Sequence, residues 1–199
     1  LLRELSKDID YDVSILLRIN PGVEAHTHKY IVTANMDSKF GVSIEEKEEI
    51  FKIVDTVFSS SHLCFNGFHA HIGSQIFDSN AFVAEINTIC EFVKQLNIPI
   101  TTLNLGGGFA AYYTSEDHPI PIDEVCKIII QTVEKNDISI SKLCIEPGRS
   151  IVGEAGSTIY TVGFMKQTPH KDYGFVNGGM SDNIRPALYQ AKYDCVIDG

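Results

Sequence analysis

The chain has 199 residues, 44% of them hydrophobic and 21% charged, with a formal net charge of −10. That composition is ordinary for a soluble globular protein with one sizeable core, and an acidic balance without a basic stripe disfavours a nucleic-acid binder. No apolar stretch approaches the length of a membrane span, and the opening LLRELSKDID does not read as a signal peptide.

The five cysteines (Cys64, Cys90, Cys126, Cys144, Cys195) are odd in number and form no CxxC pair. Most sit in apolar segments, which predicts buried reduced thiols and hence a reducing, cytoplasmic compartment. The chain begins without Met, in what reads as the end of a helix, so a fragment of a longer protein is expected.

Val13 to Asn20 (VSILLRIN) reads as a buried strand stopped by Pro21-Gly22. A long polar loop follows through His26, His28 and Lys39-Phe40-Gly41. Ser43 and Glu46 form a capping box that predicts a helix to about Ser59, its apolar positions Ile44, Ile50, Phe51, Val54 and Phe58 recurring at roughly helical spacing. Leu63 to Ile72 returns to strand, and its alternation places His69 and His71 on one face. A helix is predicted over about Asn80–Asn97, with Phe82, Ile86, Ile89, Phe92, Val93 and Leu96 inward. The strand Ile100–Leu105 ends at Gly106-Gly107-Gly108, a helix runs from Ile122 to about Lys135, and a last strand ends at Glu146 before Pro147-Gly148. Four strands, most of them followed by helices, predict parallel α/β construction. Beyond Arg149 the pattern turns β-rich over Ser157–Gln167 and Tyr173–Asn177, with a short helix within Asn183–Tyr193.

Three successive strands thus end in HIGSQ, LGGGF and EPGRS, and functional groups of β/α barrels gather at such ends. The backbone N–H groups of Gly106–Gly108 suit an anion such as phosphate, and Gly73-Ser74 adds a hydroxyl. Arg149 can clamp phosphate or carboxylate with two parallel hydrogen bonds. Glu146 can accept from a protonated ring nitrogen, and His71 offers a flat surface for a ring.

The set HAHIGSQIFD, LNLGGGF, EPGRSIVGEAG and NGGMSDNIRPALYQAKY closely resembles the pyridoxal-phosphate decarboxylases of the alanine-racemase-type barrel, nearest to their diaminopimelate decarboxylase branch. The resemblance runs from about Val13 to Tyr193. It implies an α/β fold: the C-terminal half of a (β/α)8 TIM-type barrel over 1–152, followed by the start of a β-rich domain over 153–199. It implies pyridoxal 5′-phosphate as cofactor, with His71 stacked on its ring and acting in catalysis beside Glu146, which pairs with the pyridine nitrogen. Ser74, Gly106, Gly107, Gly108, Gly148 and Arg149 are expected at the phosphate. Arg149, Arg185 and Tyr189 are expected at the substrate, Arg185 and Tyr189 on its distal carboxylate. Lys39 resembles a residue used near the subunit interface.

The implied activity is that of a carboxy-lyase, converting meso-2,6-diaminopimelate to L-lysine in a cytoplasmic homodimer, with an amino-acid substrate as its small-molecule partner and neither membrane nor nucleic acid. Racemases of this barrel often carry Arg where Glu146 stands, so the acid points to decarboxylation. The family's cofactor-bearing lysine lies in a Y-A-x-K-A-N segment that no lysine here matches, so the chain alone is expected to be inactive. Ala110-Ala111 and Asn177 depart from the family's usual residues.

Two other classes fit parts of the sequence. His69-x-His71, with His62 nearby, has the spacing of a metal-dependent barrel hydrolase, although glycines, Glu146 and Arg149 occupy the remaining strand ends, and no metal is expected. A non-catalytic interaction fragment is the other. Within the decarboxylases, related carboxy-polyamine or diamino-acid substrates also suit the RPALY segment.

Overall fold

The computed structural model describes residues 2–23 and 39–197; His26 and His28 of the predicted polar loop lie outside them. A one-turn helix α1 (Leu2–Leu5) and a 3-10 turn lead into β1 (Val13–Asn20). Then come β2 (Val42–Ser43), α2 (Lys47–Phe58), β3 (Leu63–His69), α3 (Asn80–Leu96), β4 (Thr102–Asn104), α4 (Ile122–Lys135) and β5 (Lys142–Cys144). The one-turn helix α5 (Arg149–Val152), a hairpin of β6 (Val162–Gln167) and β7 (Asp172–Val176), and α6 (Arg185–Tyr189) complete the chain.

Strands β1 to β5 form one all-parallel sheet in the order β2-β1-β3-β4-β5, an arc of β/α-barrel construction. The predicted α/β class and the bounds of β1 and α4 agree with the structure, and α3 differs by one residue. The two-residue strand β2 was hidden in the polar loop. β4 begins two residues later than predicted, and β3, β4 and β5 stop short of their predicted ends because their last residues pass into the turns that carry the site, while the inter-strand bonding continues from Leu105 N–H to Cys144 O at 3.0 Å and from Glu146 N–H to Gly106 O at 2.6 Å.

Helix α2 departs from expectation at its start. The Glu46 carboxylate accepts the Ser43 N–H, but the Ser43 hydroxyl accepts from Glu45, and the helix begins only at Lys47. The Ser43–Glu46 pair therefore closes the turn before the helix. The buried stripe is Ile50, Val54 and Val57, spaced i, i+4, i+7, which leaves Phe51 and Phe58 exposed on the flank. Phe58 still meets Phe65 edge-on, and Phe65, Phe68 and Phe92 continue that contact through β3 to α3. All six predicted inward residues of α3 are buried. The thiols differ from expectation: Cys90 alone is buried, its pKa pushed up to about 11 by that burial, whereas Cys64 and Cys195 are exposed and all five are unpaired.

A β-bulge in β3 decides which way the histidines face. Ile15 pairs with Phe65 and Leu16 with Gly67, so Asn66 is the extra residue. Before it Leu63 and Phe65 enter the core; after it Phe68, Ala70 and Ile72 do, each fully buried. The inserted residue reverses the parity of the strand, and His69 and His71 are sent to the open face opposite the helices.

Glu85 lies on α3 inside the core, with no solvent exposure and no hydrogen-bond partner for either carboxyl oxygen among the described residues. Burial pushes its carboxyl well above the usual carboxylate range. The folded state holds this proton to higher pH than the unfolded chain, which ionises around the ordinary value of 4.5, so this group subtracts stability as pH rises past that point. Glu85→Met is expected to raise stability at pH 7 by about 1–3 kcal/mol, the cost of an unsatisfied buried polar group. Urea unfolding at pH 5 and pH 8 checks this, because the gain must be larger at pH 8.

The hairpin β6–β7 is antiparallel, and every one of its residues is exposed. Phe164, Met165, Tyr173 and Phe175 stand on it uncovered by any described part of the chain.

Candidate active site

The three predicted strand ends converge at the carboxyl edge of the sheet. Arg18, His69, Asn104 and Cys144 occupy one lateral row across β1, β3, β4 and β5. Just beyond that row lie His71, the triple-glycine turn and Glu146. His69 Nε2 faces Glu146 Oε2 at 3.4 Å, an ion-pair distance without the alignment of a hydrogen bond. Asn104 Nδ2 donates to Glu146 Oε1 at 2.9 Å.

The glycines serve close approach more than anion cradling. A side chain at Gly106, whose φ is +66°, would strike the Ala70 carbonyl and the His71 ring, and one at Gly107 would strike the Glu146 carbonyl. Gly106 N–H donates to Asn104 Oδ1 at 2.9 Å and Gly107 N–H to His71 Nδ1 at 3.0 Å. Two of the three N–H groups expected to face an anion are thus engaged within the protein, which corrects the expectation of a bare three-donor nest.

That bond also fixes the His71 tautomer. Nδ1 must accept, so the neutral ring carries its proton on Nε2. Burial lowers the His71 pKa from its ordinary 6.5, and the nearby Arg18 and His69 lower it further against the pull of Glu146. His69 is lowered by burial first and by Arg18, with Glu146 opposing. An imidazole lowered in the fold takes its proton in the unfolded chain first, so the stability it contributes is complete above pH 6.5 and lost as pH falls below it. His71→Phe is expected to flatten part of the stability loss between pH 7 and pH 5. The change in slope should stay below about 1.4 kcal/mol per pH unit, the ceiling for one proton, reduced by solvent at a half-exposed site. Urea midpoints across that range measure it.

Arg149 opens α5 directly after Gly148, at whose Cα a side chain would meet open space. Arg149 Nη1 and Ser150 Oγ are buried and lack hydrogen-bond partners among the described residues. Buried donors of that kind call for an acceptor, and an anion at this rim would supply one. Ser74 lies half-buried in the loop between His71 and Gln75. That loop is locked to the glycine loop: Gln75 Nε2 donates to Ala111 O at 3.0 Å and Gln75 Oε1 accepts the Ala111 N–H at 2.9 Å.

Tyr113, which sequence reasoning passed over, connects the two arginines. The Arg149 guanidinium lies 5.6 Å from its ring centre and the Arg185 guanidinium 5.2 Å. Arg185 Nε donates to the Tyr193 hydroxyl at 2.8 Å, and Arg185 also stands 5.7 Å from the Tyr189 ring. The structure thereby brings Arg185 and Tyr189 to the same loop system as Arg149. Lys39 lies apart from them, against the Phe40 ring that Arg18 also faces.

The metal-hydrolase alternative fails on placement. His62 precedes β3 and faces Asp12 at 3.3 Å, at the opposite end of the strand from His69 and His71. Those two histidines are directed to Glu146 and to the Gly107 N–H respectively.

Comparison with known proteins agrees with this geometry. Residues 2–153 match the family described as pyridoxal-dependent decarboxylase, pyridoxal binding domain. The diaminopimelate decarboxylase of Bacillus subtilis (strain 168) is 45% identical over 203 residues, covering 98% of this chain and 46% of the relative. That of Staphylococcus aureus (strain COL) is 45% identical over 190 residues, covering 93% and 45%. Among solved structures, the diaminopimelate decarboxylase from Helicobacter pylori complexed with L-lysine superposes with a TM-score of 0.82 at 30% identity, covering 97% of this chain and 48% of that one. The one from M. jannaschii in co-complex with L-lysine gives 0.83 at 31%, covering 97% and 45%. The chain spans about half the length of the curated relatives it matches. Strand-end chemistry, fold and sequence agree: this chain belongs to the pyridoxal-dependent decarboxylase family.

Proposed function

We propose that the full-length protein is a diaminopimelate decarboxylase, a carboxy-lyase releasing CO2 from meso-2,6-diaminopimelate to give L-lysine. The observation that carries this reading is the meeting, at one rim, of the Glu146 carboxylate with the buried Arg149 Nη1 and Ser150 Oγ, which have no hydrogen-bond partner among the described residues. An acid and an anion-seeking pair on the same rim suit the two ends of pyridoxal 5′-phosphate, its ring nitrogen and its phosphate. The relatives named diaminopimelate decarboxylase at 45% identity support the substrate.

When bound, the cofactor supplies an electron sink for the pair left on the α-carbon as CO2 departs. The chain's own residues supply orientation and charge. Glu146 favours the protonated ring nitrogen, because opposite charges stabilise one another. His71, neutral and pinned by the Gly107 N–H, presents a flat ring without adding charge. Arg149 and Ser74, with the backbone at Gly108 and Gly148, hold the phosphate, and Arg149 also borders the substrate carboxylate. Arg185 and Tyr189 bind the distal carboxylate, a group diaminopimelate has and ornithine lacks.

The same reading gives a homodimer in the cytoplasm with Lys39 near the subunit interface; the unpaired thiols are consistent with a reducing compartment, and no described helix is long and apolar enough to cross a membrane. It also places a barrel segment over 1–152 and the start of a β-rich domain from 153, in keeping with a hairpin whose residues are all exposed. The test is product analysis on the full-length enzyme. CO2 and L-lysine are expected from meso-diaminopimelate, with no turnover of lysine or ornithine. Equal or faster turnover of another amino acid with a distal carboxylate would reassign the substrate, and turnover of ornithine would overturn the role of Arg185.

A further inference from the structure

Asn104 closes β4 immediately before the glycine turn, beside His69 on one neighbouring strand and Cys144 on the other. Its two side-chain ends do different work. Oδ1 accepts the Gly106 N–H at 2.9 Å, and Nδ2 donates to Glu146 Oε1 at 2.9 Å. Its backbone carbonyl accepts the Ala70 N–H at 2.8 Å, tying the same residue to the approach of His71. A short side chain that accepts at one end and donates at the other is an amide. Aspartate keeps the acceptor for Gly106 but has no donor for Glu146 and sets a second carboxylate against it. Leucine fills the volume and does neither.

We propose that Asn104 is a positioning residue for the decarboxylation, joining the glycine turn to Glu146 and fixing the direction in which the Glu146 carboxylate is presented. This rests on the role proposed above for Glu146. One oxygen of that carboxylate is held by Asn104, while the other faces His69. Without the amide, Glu146 keeps, among the described residues, the unaligned His69 contact and is free to rotate about its side-chain bonds. A reacting group held by oriented neighbours loses rate when it is freed, even where binding is unaffected.

The experiment is a double-mutant cycle in the full-length cofactor-loaded enzyme, with Asn104→Leu, Asn104→Asp, Glu146→Gln and the combination of Asn104→Leu with Glu146→Gln. Asn104→Leu is expected to lower kcat about 10-fold or more, the scale of a hydrogen bond to a charged group, with KM changed less than about 2-fold. Asn104→Asp, which keeps the Gly106 contact, is expected to lose at least as much. The visible absorption band of the bound cofactor should move in both variants toward that of Glu146→Gln. The combined variant should be no slower than Glu146→Gln alone, because Asn104 acts through that carboxylate. Near-normal kcat in either Asn104 variant, an unmoved absorption band, or losses that multiply in the combined variant would each overturn the proposal while leaving Glu146 in place. Near-normal kcat in Glu146→Gln itself would instead remove the reading on which it rests.

Discussion

Glu146→Gln in the full-length enzyme is expected to cut kcat by about 10²- to 10³-fold while the cofactor still binds. The magnitude is that of removing one preorganised electrostatic partner of developing charge. Glutamine retains the shape and can still accept from Asn104 Nδ2, so the arrangement of the strand ends survives. What it loses is the negative charge that favours protonation of the ring nitrogen. Cofactor affinity should change little, because the proposed phosphate contacts of Arg149 and its neighbours are untouched by the substitution. Steady-state kinetics with a fluorescence titration of cofactor separates the two: lost kcat with retained affinity is the expected pair. Retained kcat would mean that the acid is no more than a strand-end partner for Asn104 and His69.

Arg185→Ala is expected to act on substrate binding, raising KM roughly 10- to 100-fold, since hydrogen bonds to charged groups are worth about 1.5–3 kcal/mol. Arg185 sits between the Tyr113 and Tyr189 rings and is steadied at Nε by Tyr193, so a neighbouring aromatic set presents the guanidinium. Truncation also removes packing, and Arg185→Lys serves as the control. Lysine keeps the charge but not the planar fork, so an intermediate KM is expected from it. A KM unchanged in Arg185→Ala would remove the distal-carboxylate contact and with it the reason for preferring diaminopimelate over ornithine.

The elements legible in the sequence were those with strong periodicity and clear stops. Val13–Asn20 ends at Pro-Gly, and Ile122–Lys135 carries its buried residues on one stripe. His71, Glu146 and Arg149 stood out as candidates for the same reason, since each lies at or just past a strand stop. What remained hidden depended on pairing between strands. The bulge at Asn66 appears only when β3 is set against β1, because one inserted residue leaves no compositional mark. Phe51 and Phe58 recur with the apolar positions of α2, yet the buried stripe is Ile50, Val54 and Val57 and both phenylalanines lie exposed beside it.

Asn104 and Tyr113 were missed because each has a commonplace local explanation, a polar residue before a glycine turn and an aromatic after one. Their partners lie 42 residues away for Asn104 and Glu146 and further still along the chain for Tyr113 and Arg185. The triple glycine was read as a set of free anion donors, whereas its close backbone approach to Ala70, His71 and Glu146 appears only in the structure. Asn104 and His71 already take two of those donors.

A structure of the full-length enzyme with pyridoxal 5′-phosphate bound tests the central claim most directly. The account predicts the ring nitrogen within hydrogen-bond distance of Glu146 and the phosphate against Arg149 Nη1, with the His71 ring over one face of the cofactor. A cofactor whose ring nitrogen meets some other group, or whose phosphate lies away from Arg149 and the glycine turn, would contradict it.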